Sequence, residues 1–192
     1  MKQIFLFSLI VMTSFINKQD TQGLKTGDKA PLFEAKSHSG DTIKLSSVLE
    51  NGPVVLFFYR GAWCPYCNRQ ISELQDSLKY IYEKGASVIA VTPEIDTSIS
   101  KTIGKTHAVF PIIHDEKYKI MNDYNVSFKV DNGTVTKYKL WGINLEKANG
   151  NEDNILPVPA TYVIGKDGII KYAFFNTDYK KRASVKDILS HL

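Results

Sequence analysis

Residues 53–67 read PVVLFFYRGAWCPYC, an apolar run that ends in two cysteines separated by two residues. Most of the first seven residues are β-branched or aromatic, and the turn signals Asn51-Gly52 and Arg60-Gly61 bound them. A short continuous apolar run with such boundaries is typical of a strand that is buried on both faces of a parallel sheet. The sequence therefore predicts a central strand over residues 53–59 that leads directly into the two cysteines.

The residues after this strand predict a helix and then a second strand. The apolar positions recur at spacings of four, three, four and three, which is the period of one helical face: Cys67, Ile71, Leu74, Leu78 and Ile81. Pro65 suits the first helical position, and Gly85 suits the position just past the helix end. Residues 86–91 are a second apolar run that stops at Thr92-Pro93. A strand, a helix and a strand in so short a span predict a βαβ unit.

The remaining sequence predicts a mixed sheet. Residues 126–156 are polar and rich in turn residues, with a loop at 148–154. We expect Trp141 in this insertion to be packed, and a tryptophan that lines a cleft is the alternative. The fold class is therefore α/β, with a mixed central sheet flanked by helices on both faces and an insertion before a final hairpin. The other predicted elements are a strand at 32–35, a helix at 97–106, a strand at 110–113, a helix at 117–124, a hairpin at 161–175 and a last helix that Ser184 caps and that ends at Leu192.

Residues 1–22 predict an N-terminal extension that precedes a single domain at residues 23–192. Lys2 is followed by an apolar stretch over residues 4–12 and a polar run at 17–20, which is the order of a secretory signal peptide. The stretch is shorter than the roughly 20 residues of a membrane-spanning helix. We therefore expect export to the periplasm or cell envelope, and no membrane span. For the segment itself, an uncleaved anchor or a loose N-terminal strand is the alternative. For the location, the cytoplasm is the alternative.

Composition excludes several classes of protein. With 192 residues, 43% of them hydrophobic and 23% charged, the chain is long and apolar enough for a globular core. The net charge is only +4 and no basic block is interleaved with aromatic residues, so we expect no nucleic-acid partner. The one basic run, Lys180-Lys181-Arg182, is interpreted as a solvated turn.

The chemistry of the chain is predicted to lie at Cys64 and Cys67, the only two cysteines. Cys64 falls at the N-cap of the predicted helix, where the free N–H groups and the helix dipole favour a thiolate at Cys64. Cys67 lies on the apolar stripe, so we expect it to be the more buried and slower partner. Residues three apart on a helix are close enough to form a disulfide, and the pair can thus cycle between dithiol and disulfide. A zinc site needs two further ligands, and the four histidines are scattered, so no metal or other cofactor is predicted.

Three segments resemble a known family: residues 58–70 around the cysteines, residues 157–164, and residues 178–183. Over residues 27–192 the chain resembles the peroxiredoxin-like branch of the alkyl hydroperoxide reductase and thiol-specific antioxidant family. The resemblance implies a thioredoxin-like fold and thiol-dependent redox activity, commonly peroxide reduction. It also implies that Cys67 stands at the peroxidatic position.

The resemblance also shows three departures from the usual pattern of the family. Cys64 stands where typical peroxiredoxins have threonine or serine, and Arg60 stands where they have proline. Pro159 occupies the place of a later arginine and resembles instead the cis-proline that faces the cysteines of thioredoxins; an ordinary trans proline that opens a strand is the alternative. The predicted supporting residues of the site are Arg60, Trp63, Pro65, Tyr66 and Pro159.

Two mechanisms follow for an oxidoreductase with this cysteine pair. As a peroxidase, Cys67 attacks hydrogen peroxide or an organic hydroperoxide, Cys64 resolves the sulfenic acid, and a thioredoxin-like or other thiol reductant reopens the disulfide. Arg60 then supplies positive charge near the thiolate. As a thiol-disulfide oxidoreductase, Cys64 attacks a protein disulfide and Cys67 resolves the mixed disulfide; the Pro65-Tyr66 pair, which matches glutaredoxins, favours this alternative. A binding module with a thioredoxin-like fold and no catalytic activity is the remaining alternative.

Overall fold

A computed structural model describes residues 21–192, and the predicted signal segment lies almost wholly outside them. Among the described residues, no helix combines the length and apolarity that a membrane crossing requires. The strands are β1 (Glu34–Lys36), β2 (Thr42–Lys44), β3 (Val54–Phe58), β4 (Ser87–Thr92), β5 (Ile112–His114), β6 (Ser127–Lys129), β7 (Ile155–Pro157), β8 (Ala160–Ile164) and β9 (Ile170–Phe175). The helices are α1 (Leu45–Asn51), α2 (Pro65–Asp76), α3 (Leu78–Glu83), α4 (Asp96–Thr106), α5 (Lys119–Asp123), α6 (Asn132–Leu140), α7 (Leu145–Asn149) and α8 (Val185–Ser190).

The predicted mixed sheet is confirmed. Five strands lie in the order β5-β4-β3-β8-β9, and β3 is the central strand. β3 pairs in parallel with β4 and antiparallel with β8, with Phe58 opposite Val91 on one side and opposite Ala160 on the other. The final hairpin, β8 with β9, is antiparallel as predicted.

Both faces of β3 are buried, which explains why its sequence is a continuous apolar run. Val55, Phe57 and Tyr59 pack into one core cluster with residues of α2, α3, α4 and α8. Val54, Leu56 and Phe58 pack into a second cluster with residues of α1 and α5. Successive side chains of a strand point to opposite faces, so the odd and even positions enter different layers. Helices therefore cover both faces of the sheet, as predicted.

The elements differ from the predictions where short segments carry a weak pattern. The helix expected over residues 65–84 is divided at Ser77 into α2 and α3, although the apolar spacing continues across the break. The segment before β3 also contains β2 and α1, which the sequence analysis did not predict. The insertion, expected to be turns and loops, forms a small sheet of β6 and β7 with α6 and α7 between them.

The βαβ unit of β3, α2 and β4 positions the cysteines. The strands β3 and β4 are parallel, so their carboxyl ends lie side by side at one edge of the sheet. Cys64 and Cys67 follow β3 at this edge, and Glu94 follows β4.

Candidate active site

The two cysteines occupy the first turn of α2 as predicted. Cys64 is the N-cap residue with extended backbone angles, and Pro65 opens the helix. The backbone N–H groups of Cys67 and Asn68 both donate to the carbonyl of Cys64, at 3.1 Å. Both thiols are free and buried, Cys64 with 1% and Cys67 with 0% of its surface exposed. The pair therefore lies in the protein interior, where β3 ends, and not on an open surface.

The surroundings of Cys67 favour its thiolate. Burial acts to raise the pKa of Cys67, but hydrogen bonds and charges outweigh it and lower the pKa to about 6. The thiol of Cys64 and the backbone N–H of Arg60 donate to the sulfur, and the guanidinium of Arg182 adds positive charge. Nη2 of Arg182 lies 3.4 Å from Sγ of Cys67. Three donors thus converge on one sulfur, which is the arrangement that stabilises a buried thiolate.

The surroundings of Cys64 favour its protonated form. Its hydrogen bond to the Cys67 sulfur and its burial both raise the pKa of Cys64 far above the ordinary value, and the charge of Arg60 offsets this only in part. The prediction that the helix N-terminus holds a thiolate at Cys64 is therefore wrong. The physical reason is that Cys64 is the donor of the pair, so it keeps its proton while Cys67 gives its own up.

Arg182 was missed by the sequence analysis, which interpreted its basic run as a solvated turn. The side chain is only half-exposed, and besides Cys67 it donates to the backbone carbonyls of Tyr179 and Lys181. These bonds fix the guanidinium above the N-terminus of α2. The signal that could have found it is the similarity of residues 178–183 to the family, which singles out this loop.

Arg60 is buried, with 3% of its surface exposed. Its guanidinium carbon lies 4.8 Å from the ring centroid of Trp63, 5.6 Å from that of Tyr138 and 4.5 Å from that of Tyr179. We call these three rings the aromatic cage. Nη2 of Arg60 also donates to the hydroxyl of Tyr138. Cation–π contacts and this hydrogen bond hold the positive charge of Arg60 beside Cys64. The backbone N–H of Arg60 donates to the sulfur of Cys67.

A cavity of about 160 Å³ opens over Cys64. Trp141 stands at its edge with 70% of its surface exposed, so the prediction of a packed tryptophan is wrong. The cause is the position of Trp141 at the C-terminal end of α6, a helix with Val135 as its buried residue. The cavity is lined by the aromatic cage, Arg60, Cys64, Pro65, Tyr66, Trp141 and Ile143.

The loop before Cys64 is clamped at Ala62. The backbone N–H of Ala62 donates to Oε2 of Glu94 at 2.8 Å. The carbonyl of Ala62 accepts from Nζ of Lys105 at 2.9 Å and from Nδ2 of Asn68 at 3.0 Å. Neither Glu94 nor Lys105 stands near a motif, so no local pattern in the sequence pointed to these two residues. The contacts of Glu94 and Lys105 with Ala62 fix the backbone conformation in which the Arg60 N–H points toward the Cys67 sulfur.

Pro159 is buried in the connection between β7 and β8. No peptide bond within residues 21–192 is cis, so the expected likeness to a thioredoxin cis-proline is wrong. Gln70 instead ties the helix of the cysteines to β8, since its Nε2 donates to Oγ1 of Thr161 at 3.0 Å. Among the described residues, no three His, Cys, Asp or Glu side chains are grouped to hold a metal ion.

Comparison with known proteins places this geometry in a family. The model of the AhpC/TSA family matches residues 26–173, most of the chain. The chain belongs to the AhpC/TSA family. Within it, the chain is 27% identical over 151 residues to a chloroplastic peroxiredoxin Q of Triticum aestivum, which covers 78% of this chain and 58% of that protein. It is 26% identical over 151 residues to the thiol-disulfide oxidoreductase ResA of Oceanobacillus iheyensis, covering 73% of this chain and 78% of that one.

Solved structures establish the fold. The peroxidoxin BcpB from Mycobacterium tuberculosis superposes with a TM-score of 0.67 at 22% identity, over 88% of this chain and 96% of that one. A yeast mitochondrial 1-Cys peroxiredoxin gives a TM-score of 0.66 at 19% identity, over 86% and 73% of the two chains. The chain therefore has the thioredoxin-like fold of peroxiredoxins, which the resemblance implied.

Proposed function

We propose that this protein is a thiol-dependent peroxidase in which Cys67 attacks the peroxide and Cys64 resolves the product. The observation that carries the proposal is the convergence of Arg182, the Arg60 N–H and the Cys64 thiol on the Cys67 sulfur. Thiolates, and not thiols, are the nucleophiles in such reactions. Membership of the AhpC/TSA family and the similarity to a peroxiredoxin Q support the same assignment.

The proposed steps use both cysteines and one external reductant. The Cys67 thiolate attacks one peroxide oxygen, the O–O bond breaks, and the products are a Cys67 sulfenic acid and an alkoxide or hydroxide that takes up a proton. The Cys64 thiol then attacks the sulfenic sulfur, which forms a Cys64–Cys67 disulfide and releases water. A dithiol reductant of thioredoxin type reduces this disulfide by exchange and is itself oxidised to a disulfide.

Thiol-disulfide exchange is the second candidate function, and one observation favours it. The cavity of about 160 Å³ reaches Cys64, and Cys67 is not among its lining residues. A disulfide substrate that entered this cavity would meet Cys64 first. The similarity to ResA, whose name describes exchange, supports this candidate.

The Cys64→Ser variant separates the two functions. A serine hydroxyl can donate to the Cys67 sulfur as the thiol does, so the thiolate is kept while the resolving step is lost. For a peroxidase, hydrogen peroxide still converts Cys67 to a sulfenic acid, which dimedone traps, and the Cys67→Ser variant traps none. For an exchange enzyme, Cys64→Ser no longer forms a mixed disulfide with a model disulfide, whereas Cys67→Ser accumulates one.

We also propose export of the protein, supported by the order of charged and apolar residues in the predicted signal segment, residues 1–22. Expression of the full chain followed by fractionation of the cell and N-terminal sequencing tests this. A mature protein in the envelope that begins near residue 23 is expected. A cytoplasmic protein that keeps the segment would contradict export.

A further inference from the structure

Glu94 is a buried acid at the active-site edge that the steps above do not use. Only 1% of its surface is exposed. None of the ion pairs within residues 21–192 involves Glu94. The one hydrogen bond of its carboxyl group within residues 21–192 is the one that Oε2 accepts from the N–H of Ala62. A buried carboxylate without a paired cation is costly, so the group is expected to be protonated more readily than an exposed one.

The same loop donates a backbone hydrogen bond to Glu94 and another to Cys67. The N–H of Arg60 donates to the Cys67 sulfur, and the N–H of Ala62, two residues later, donates to Glu94. Gly61 lies between them, and a Cβ there would stand 2.5 Å from Oε1 of Glu94. The Glu94 carboxyl group therefore packs closely against residues 60–62, the short backbone segment that also donates a hydrogen bond to the Cys67 thiolate. Two negative charges placed this way repel one another in a medium of low dielectric constant.

We infer that Glu94 and Cys67 hold one proton between them in the reduced protein, and that the proton rests on Glu94 while Cys67 is a thiolate. The transfer is Cys67–SH plus Glu94 carboxylate to Cys67 thiolate plus Glu94 carboxylic acid, so atoms and charge balance. When Cys67 enters the disulfide its negative charge is lost, and Glu94 releases its proton. Glu94 is a positioning residue, and the inference deepens the proposed function because it rests on the thiolate at Cys67.

The electrostatics of the two groups agree with this arrangement. Burial raises the pKa of Glu94 to about 7, with the N–H of Ala62 acting against it and the charge of Cys67 acting with it. The pKa of Cys67 is lowered to about 6 against its own burial. Both groups therefore titrate close to neutrality, and each opposes the ionisation of the other, as in a coupled pair.

The other titratable groups around Glu94 do not provide a competing proton. Burial raises the pKa of Tyr59, at the end of β3, far above its ordinary range, so it stays protonated. Lys101 and Lys105 of α4 lower the pKa of Glu94 without pairing with it. With Lys147 of α7 they surround a cavity of about 280 Å³ that Glu94 itself lines. This cavity shares Trp63 and Ile143 as lining residues with the one over Cys64, and it is a route by which the Glu94 proton exchanges with solvent.

The Glu94→Gln variant tests the inference through the titration of the thiolate. Glutamine keeps an oxygen that accepts from the N–H of Ala62, but it cannot ionise. Because the proton rests on Glu94 when the thiolate forms, the neutral glutamine is expected to leave the midpoint at which the ultraviolet absorbance of the thiolate appears close to that of the wild type. If Glu94 were already ionised at that point, removal of its charge would lower the midpoint clearly. The matched control is Glu73→Gln, an exposed carboxylate on the same helix as Cys67. The titration needs no peroxide, so it is independent of whether the protein is a peroxidase.

A second measurement uses the wild-type chain and does not depend on how the variant folds. Infrared difference spectra between the dithiol and the disulfide, recorded near neutral pH, are expected to show the loss of one protonated carboxyl band on oxidation. The variant Asp115→Asn identifies any contribution of that buried carboxyl. A midpoint in Glu94→Gln that falls well below that in Glu73→Gln overturns the inference, and so does a carboxyl band that persists through oxidation.

Discussion

Nη2 of Arg182 lies 3.4 Å from Sγ of Cys67, although 115 positions of sequence separate the two residues. The loop between β9 and α8 therefore brings a cation to the first turn of α2. The place at which the family carries its later arginine is occupied here by Pro159. A positive charge beside the Cys67 sulfur is thus supplied by a segment of the chain other than the one that holds Pro159.

Replacement of Arg182 by Gln is expected to weaken the reaction with peroxide. Hydrogen bonds to charged groups contribute about 1.5–3 kcal/mol, so the pKa of Cys67 should rise by about one unit for this half-exposed side chain. The second-order rate with hydrogen peroxide should fall about tenfold at pH 5, where the thiolate fraction limits the rate, and only about twofold at neutral pH. Lys181→Gln, which removes the neighbouring exposed charge, is the control. An equal loss of rate in both variants would mean that the net positive charge of the loop, and not the contact of Arg182 with Cys67, sets the rate.

Alkylation of the two cysteines is expected to depend on pH in different ways. The pKa of Cys67 is lowered to about 6, so its thiolate is present above this pH and is lost as the pH falls through it. The pKa of Cys64 is raised by its hydrogen bond to Cys67 and by burial, so Cys64 should stay unreactive over the same interval. Iodoacetamide labelling followed by peptide mass mapping measures each site. Modification of Cys64 ahead of Cys67 would show that the roles are reversed.

Tyr138→Phe is expected to destabilise the aromatic cage without touching either cysteine. The change leaves a donor of the buried Arg60 guanidinium without the hydroxyl that accepts from it. An unsatisfied buried group costs about 1–3 kcal/mol, which chemical denaturation would detect as a lower free energy of unfolding. Tyr80→Phe, at a tyrosine with 58% of its surface exposed, should change little. Equal free energies of unfolding in the two variants would show that the Tyr138 hydroxyl does not stabilise the buried Arg60 guanidinium.

Gly61→Ala is expected to disturb the loop between Cys67 and Glu94. Gly61 has φ of +154°, and a Cβ would lie 2.5 Å from Oε1 of Glu94 and 2.5 Å from Nε1 of Trp63. Strain of this kind costs on the order of 1–3 kcal/mol, and a shifted Arg60 N–H should also raise the pKa of Cys67. Gly104→Ala is the matched control, because it lies in α4 with open space around it and should stabilise the protein by about 0.5–1 kcal/mol. A Gly61→Ala variant as stable as the wild type would disprove the close packing.

The sheet and the first turn of α2 could be predicted from sequence because they depend on local patterns. The apolar run of β3, the helical spacing from Cys67 to Ile81 and the proline at the first helical position each carry enough signal on their own. The N-cap position of Cys64 followed directly from these. The insertion could not be predicted in the same way, because its strands are three residues long and α6 has only Val135 as its buried residue.

The chemistry of the site was less predictable because its decisive contacts are distant in sequence. Nothing local distinguishes Arg182 from the exposed Lys181 beside it. Glu94 likewise stands outside any motif, and its contact with Ala62 spans 32 positions. The helix dipole alone favoured a thiolate at Cys64, but the direction of the hydrogen bond between the thiols and the position of Arg182 reverse this. Such terms are visible only once the chain is folded.

The most direct test of the account is the rate at which reduced protein reacts with hydrogen peroxide. Stopped-flow fluorescence can follow the reaction through Trp63, which lies next to Cys64 and stacks on Arg60, with Trp141→Phe removing the second tryptophan. The expected result is a second-order rate far above that of free cysteine, with an acid limb near pH 6, where the Cys67 thiolate is lost. A rate no faster than that of free cysteine, with rapid reaction of the same protein with a model disulfide, would contradict it.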